Sequence, residues 1–295
     1  MIADCRTDTV YVSDLLEGRH PQIFSEFKKI FAGRLRAIPG TKDIWARDYM
    51  PVQIDLGRFV QFRFDPGYLK PKKYRDRRTP NGSALLDLPG CAQSDLVIDG
   101  GNIVHWRNTA ITTDKIYAEN RRVPRATLRE RLRAALGVER LIIIPKEPDD
   151  IFGHADGMVR FINADTVLVN DTKHCDHYKK VAAVLQRQGL RSIPFPYAPT
   201  DDVGDDETPS AKGVYIIFLQ TADIILLPRF GLPEDEEAEA ILRRYFSQCR
   251  ITRVQCDKLA ANGGLLNCVS WTIREAARAA PRYLDIGRPA LRRRN

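Results

Sequence analysis

The chain has 295 residues, 43% of them apolar, and 46 basic against 38 acidic side chains give a formal net charge of +8. That is a globular chain of enzyme size, and no uncharged stretch approaches the ~20 residues needed to cross a bilayer, so no membrane association is expected. The basic excess is local, in residues 70–78, Arg121 to Arg133 and Arg292 to Arg294, with almost no interleaved aromatics, so it reads as solvated surface and no nucleic-acid partner is expected.

In chain order, a helical pattern between Ser13 and Phe31 comes first and is expected to cap the first structural unit from the N-terminal side. The motif Asp43-Ile-Trp-Ala-Arg-Asp48 then opens an apolar pair, Met50 to Ile54 and Phe59 to Phe62, around a turn at Asp55 to Gly57. Pro66 to Gly90, with its run from Lys70 to Arg78, reads as an exposed loop. A second motif, Ile98-Asp-Gly-Gly-Asn102, leads into Ile103 to Trp106, a turn, and Ala110 to Thr113. A third, Gly153-His-Ala-Asp156, leads into Met158 to Ile162 and Thr166 to Val169. A fourth segment, Lys212 to Tyr215, carries no reactive side chain and precedes Val214 to Leu219 and Ile224 to Pro228. The fifth is Asn262-Gly-Gly-Leu-Leu-Asn-Cys268. Hairpins two to four each run into a helix of 3.6 period, Arg125 to Leu136, His177 to Gln188 and Glu234 to Gln248. Each of these is followed by a short strand, Leu141 to Ile144, Arg191 to Phe195 and Ile251 to Val254.

The spacing is regular. Asp48 to Asp99 is 51 positions, Asp99 to His154 is 55, and His154 to Cys268 is 114, or two steps of 57. A repeat of strand pair, helix and strand at that period marks units that stack because none buries its own apolar face. We therefore expect one α/β domain over residues 1–295, closed as a propeller, with the motif at the head of each unit facing a common axis. Asp48, Asp99, His154, Asp156 and Cys268 would then share one pocket. Cysteine attacks as its thiolate, which a neighbouring cation helps to form, and histidine can supply that charge or move protons. Two further carboxylates suit a cationic substrate, and a planar guanidinium matches them in forked hydrogen-bonded pairs.

At this point the motifs resemble a known family. Trp45-Ala-Arg-Asp48 followed by Pro51, Asp99-Gly-Gly-Asn102, Gly153-His-Ala-Asp156 with Arg160-Phe161, and the glycine-rich approach to Cys268 look like the agmatine deiminase and bacterial peptidylarginine deiminase family of guanidino-group modifying enzymes, over residues 41–272. The resemblance implies the pentein fold, a five-bladed pseudo-symmetric ββαβ propeller. It implies attack by Cys268 on a guanidinium carbon, protonation of the departing ammonia and activation of water by His154, and a clamp on the guanidinium by Asp99 and Asp156. Trp45 and Asp48 would line the entrance, and Arg47, Asn102 and Arg160 complete the expected substrate-binding set. No cofactor or metal is implied. The chain departs from the family pattern at Met50, where glycine is usual, and at Ile217, where asparagine is common. Agmatine deiminases tend to have glutamate where this chain has Asp99.

Plainer readings stand beside these. Cysteine is often a small core residue, Asp99-Gly-Gly-Asn102 could be a turn, and His154 could be structural. The group His174-Cys175-Asp176-His177 has metal-ligand residue types but sits at a helix start, where a cap is the expectation. The acidic run Asp201 to Glu207 lacks the alternation of a calcium loop and reads as surface. A cysteine hydrolase of amides would use Cys268 and His154 but gain nothing from the extra carboxylates; amidino transfer and a binding-only propeller also stay open. Six cysteines, without paired metal-type spacing and too sparse for a disulfide scaffold, fit free thiols in a reducing cytoplasm. The N-terminal residues also lack the apolar stretch of a signal peptide. A homodimer would suit the flat outer helices of such a ring.

Overall fold

The computed structural model describes residues 1–275 apart from 80, 89, 149, 174, 205 and 206. The basic cluster Arg292 to Arg294, His174 of the expected helix start, and Asp205 and Asp206 of the acidic run lie outside the described residues.

The first elements are β1 (Thr9–Ser13), α1 (Leu16–Arg19), α2 (Pro21–Phe31) and β2 (Leu35–Ile38). Then come α3 (Ala46–Tyr49), β3 (Val52–Asp55), β4 (Arg58–Arg63), α4 (Gly82–Leu85) and β5 (Cys91–Val97). The second unit holds β6 (Val104–Trp106), β7 (Thr109–Thr113), α5 (Lys115–Glu119), α6 (Arg125–Leu136) and β8 (Arg140–Ile144). The third has β9 (Val159–Phe161), β10 (Thr166–Asn170), α7 (His177–Arg187) and β11 (Arg191–Phe195). The fourth has β12 (Leu219–Gln220), β13 (Ile224–Arg229), α8 (Glu234–Tyr245) and β14 (Arg250–Gln255), and α9 (Asp257–Ala260) and β15 (Ser270–Ile273) complete the series.

These strands form five three-stranded sheets of one design: an antiparallel hairpin whose second strand takes a parallel partner on its other edge. In the third unit Val167 faces Phe161 across the antiparallel edge and Ser192 across the parallel one. A parallel partner requires a crossover. The amphipathic helices α6, α7 and α8 provide it in units two to four, burying Leu128, Leu132 and Leu136, then Tyr178, Val181 and Leu185, then Ala238 and Leu242. Helix α6 stops at Gly137, whose φ of 63° lets the chain turn back under the last carbonyls. The fold is the α/β pentein propeller that the repeat and the motifs anticipated.

Two details differ from expectation. The segment from Ser13 to Phe31 does not cap the first unit. Sheet order β15-β1-β2 makes α1 and α2 the crossover of the fifth unit, with β15 as its first strand. The N-terminal part of the chain therefore completes a unit opened near residue 262. Pro66 to Gly90 crosses the first sheet without a long helix, through two 3-10 turns, Gly67–Leu69 and Lys72–Arg77, and then α4. Its Tyr68, Leu69, Tyr74 and Arg77 line the central cavity, so the basic loop is part of a wall as well as surface. No described helix is long and apolar enough to cross a membrane.

Candidate active site

Each reactive motif sits in the turn just before the first strand of its sheet: Asp48 before β3, Asp99 before β6, His154 and Asp156 before β9, and Cys268 before β15. Five strand entries brought to one axis place the turns side by side, and hydrogen bonds cross four of the five junctions. Gly101 N donates to Asp48 Oδ1 at 3.0 Å. Ala155 N donates to Asn102 Oδ1 at 3.2 Å. Arg47 N donates to the carbonyl of Cys268 at 3.0 Å, and Asn267 N to that of Ile217 at 3.2 Å.

The turns enclose a cavity of about 570 Å³. Cys268, His154, Asp48, Asp156 and Trp45 line it, with Tyr68, Phe152, Ile217 and, farther out, Glu207. Glu207 belongs to the acidic run expected on the surface, which therefore reaches the cavity wall. Tyr68 and Phe152 pack edge to face at 5.0 Å, and both rings lie about 6 Å from the His154 imidazole. Trp45 lies against Gly264, where a Cβ would come within 2.6 Å of the indole, so Gly264 makes room for this ring, while Gly263 makes room for Thr208 and Phe152.

Four of the expected residues lie behind the wall rather than on it. Asp99 is fully buried, and its Oδ2 lies 2.8 Å from His154 Nε2. It orients the imidazole from behind and does not face the cavity, so the expected clamp by Asp99 does not follow from its position. Asp48, expected at the entrance, is the carboxylate that shares the inner wall with Asp156, and its Oδ1 is 3.5 Å from His154 Nδ1. Asn102 is also fully buried; its Oδ1 accepts from Thr113 N and Ala155 N and so pins the second turn to the third. Arg47 and Arg160 both donate to Asn267 Oδ1 at 3.2 Å, and Arg160 pairs with Asp4 at 2.9 Å. They were expected to contact substrate; here their guanidinium groups meet Asn267, and neither residue lines the cavity.

Asn267 went unnoticed in the sequence because an asparagine beside a cysteine carries no pattern of its own. Its Nδ2 donates to Asp156 Oδ2 at 2.7 Å, while its Oδ1 takes both arginines. It fixes the rotation of a cavity carboxylate from the same turn that carries the thiol. Lys115 and Glu119, on the one-turn helix α5, were likewise missed. At the expected helix cap, Asp176 occupies the position before α7, but its carboxylate pairs with Lys179 at 2.7 Å and caps no backbone N–H.

Burial and charge set the protonation pattern. Burial raises Asp48 to about 7, with His154 pulling against it and Asp99 adding to it. Burial likewise raises Asp156, opposed by His154 and the Asn267 hydrogen bond. Burial favours proton loss from His154, but the Asp48 and Asp99 carboxylates outweigh it and hold the imidazole up at about 9. Burial, then Asp156 and Asp48, keep the Cys268 thiol well above its ordinary range. The site is thus a neutral thiol beside an imidazolium and two carboxylates that burial holds above their ordinary range, an arrangement that a further positive charge would relieve.

Gly101 is a point of close approach among the reactive side chains. A Cβ there would stand 2.7 Å from Asp48 Oδ1, 2.8 Å from His154 Nδ1 and 3.3 Å from Asp156 Oδ1. Gly101→Ala is expected to lower stability by about 1–3 kcal/mol in denaturant unfolding through overpacking. Gly18→Ala, in open space on α1, is expected to leave it unchanged or raise it.

Comparison with known proteins agrees with this geometry. Residues 12–273 match the Porphyromonas-type peptidyl-arginine deiminase family. The chain is 27% identical over 284 residues to the agmatine deiminase of Pseudomonas aeruginosa (strain LESB58), covering 81% of this chain and 76% of that one. It is 28% identical over 280 residues to that of Stutzerimonas stutzeri (strain A1501), covering 80% and 76%. The solved structure of the C. jejuni agmatine deiminase superposes with a TM-score of 0.76 at 16% identity over 93% of this chain and 95% of that one, a likeness of fold. With the family motifs gathered around one cavity and the match running from β1 to β15, the chain belongs to the Porphyromonas-type peptidyl-arginine deiminase family.

Proposed function

We propose that the protein, as one domain, is a hydrolase that converts a guanidino compound to its ureido product and ammonia through a covalent adduct on Cys268. The observation that carries this reading is the pairing of Asp48 and Asp156 on the inner wall of a cavity that also holds Cys268 and His154. Two carboxylates beside a nucleophile fit a planar cation that offers two edges of N–H groups. A neutral amide would leave both carboxylates unmatched.

The guanidinium supplies that further positive charge, and the Cys268 proton leaves to solvent as the cation enters. Sγ then bonds to the guanidinium carbon while one C–N π pair moves onto nitrogen. The His154 imidazolium protonates the amino group that departs as ammonia, leaving a cationic thiouronium on sulfur and a neutral imidazole. Water attacks that carbon and gives its proton to His154. The C–S bond breaks with its electron pair returning to sulfur, and loss of the hydroxyl proton yields the ureido carbonyl. Trp45 and Phe152 cover the apolar part of the substrate and exclude water from the first half. Asp99 keeps the imidazole oriented, Asn267 holds Asp156, Arg47 and Arg160 hold Asn267, and Asn102 ties the second turn to the third. No step asks for a cofactor.

The relatives from Pseudomonas aeruginosa and Stutzerimonas stutzeri are agmatine deiminases, so agmatine heads the panel to be tested, with free arginine and peptides bearing internal or C-terminal arginine. Release of ammonia and ureido product in equal amounts from at least one guanidine, without added amine, is expected. A product that appears only when an amine is supplied would replace hydrolysis with amidino transfer. Folded protein that consumes no guanidine would reduce the site to a binding pocket. Free thiols at all six cysteines accord with a reducing cytoplasm.

A further inference from the structure

Lys115 places a buried ammonium group beneath the histidine. It lies at the start of α5, and its Nζ donates to Asp99 Oδ2, the same oxygen that receives His154 Nε2. Nζ also stands 3.3 Å from His154 Nε2 and 3.1 Å from Glu119 Oε1, and 5.2 Å from the centre of the Tyr68 ring. The side chain is 10% exposed, so this charge is kept inside by its partners. Nothing in the deimination chemistry asks for a second cation there.

The difficulty it answers is visible in the surroundings of His154. Asp48 from α3 faces Nδ1, and Asp99 from the turn before β6 faces Nε2. Asp156 follows on the same turn, Glu119 approaches from α5, Tyr68 from the turn after β4, and Cys268 lines the same cavity. Arg47 and Arg160 act on Asp156 from behind Asn267, which leaves Lys115 as the cation against the imidazole itself, where the other charged groups are carboxylates. Such a ring holds its proton firmly, which serves the departure of ammonia. The second half of the reaction needs the reverse, an imidazole free to take a proton from water.

We propose that Lys115 is a positioning residue for the hydrolytic half of the reaction: it divides Asp99 Oδ2 between two cations and keeps His154 able to stay unprotonated once ammonia has left. The proposal rests on the reading of the protein as a guanidine hydrolase. The protonation pattern accords with it. Against the effect of burial, Lys115 and His154 bring Asp99 down to about 2, and the Lys115 charge works against the rise of His154. Burial raises Glu119 to about 7, with Asp99 adding to that and Lys115 opposing it, so this carboxylate competes with Asp99 for the ammonium.

The test combines a titration with kinetics. His154 is titrated by NMR in protein labelled at the histidine rings, its signal assigned by loss in His154→Gln. In Lys115→Met, which keeps the stem and removes the charge, the midpoint should rise by about one pH unit or more. It should return toward the original value in Lys115→Arg and fall in Glu119→Gln. In turnover, Lys115→Met should lower kcat at neutral pH about tenfold. The ascending limb of its kcat profile should move to higher pH with KM within about twofold, and quenched protein should carry substrate minus ammonia on Cys268. A His154 midpoint and a kcat limb that both stay in place in Lys115→Met overturn the proposal, and so does a midpoint that moves while the limb and the adduct do not. Should Lys115→Met fail to fold, Glu119→Gln decides, because an unmoved midpoint and limb there overturn it as well. Silence of the unsubstituted protein toward every guanidine overturns the deiminase reading itself, whereas an active protein with an indifferent Lys115→Met overturns this proposal alone.

Discussion

Cys268→Ala is expected to release no measurable ammonia from any guanidine that the unsubstituted protein consumes, a loss of at least about 10³-fold, because among the described residues no other thiol lines the cavity. The variant should still fold, with a melting temperature within a few degrees of the original, since a half-buried thiol gives way to a methyl group of similar shape. Cys91→Ala and Cys249→Ala serve as controls. Cys91 begins β5 and Cys249 precedes β14, neither lines the cavity, and both variants should keep activity within about twofold. Equal losses in all three would assign Cys268 to packing. The high thiol pKa adds a sign that can be checked. The resting thiol holds its proton, so alkylation by a neutral reagent should be slow at pH 7 and should quicken as pH rises.

Asp156→Asn should lower kcat/KM on the order of 10²- to 10³-fold, in line with ~2–5 kcal/mol for removing one partner of a buried hydrogen-bonded charge pair. It exchanges a full charge at the guanidinium for a neutral amide of the same size. It also turns the acceptor of the Asn267 Nδ2 bond into a group that can present either oxygen or NH₂. Asp99→Asn should behave differently. It leaves the cavity wall intact and removes the partner of His154 Nε2, so kcat should fall while KM changes little. Steady-state kinetics of the two variants on one substrate decide the matter. If Asp99→Asn raises KM and Asp156→Asn does not, the roles assigned to these carboxylates are exchanged.

The parts of the fold that were legible in the sequence are those with short-range causes. Helix α6 begins and ends where its leucine spacing and Gly137 require, and β10, β11 and β13 occupy the β-branched runs expected of them. The reactive motifs were legible because their spacing follows the unit length. What escaped notice depends on contacts between distant segments. Strands β1 and β2 follow no motif of the repeat, and the helices between them make sense only once β15 is known to pair with β1. That Asp48 lines the cavity while Asp99 lies behind His154 was not legible, because a motif fixes which turn carries a carboxylate but not whether it points to the axis or behind it. Lys115 and Asn267 looked like an ordinary helix-start lysine and a loop asparagine. Only the three-dimensional closeness of Asp99 and Asp156 makes them part of the site.

The pairing of β1 with β15 also orders events in time. Asp48, Asp99, His154 and Asp156 all leave the ribosome long before Cys268, and the strand that follows the thiol must dock onto an edge that has been waiting since residue 13. The thiol sits two residues before the strand whose pairing with β1 closes the ring, so the bond-forming atom and the ring closure depend on one segment of chain.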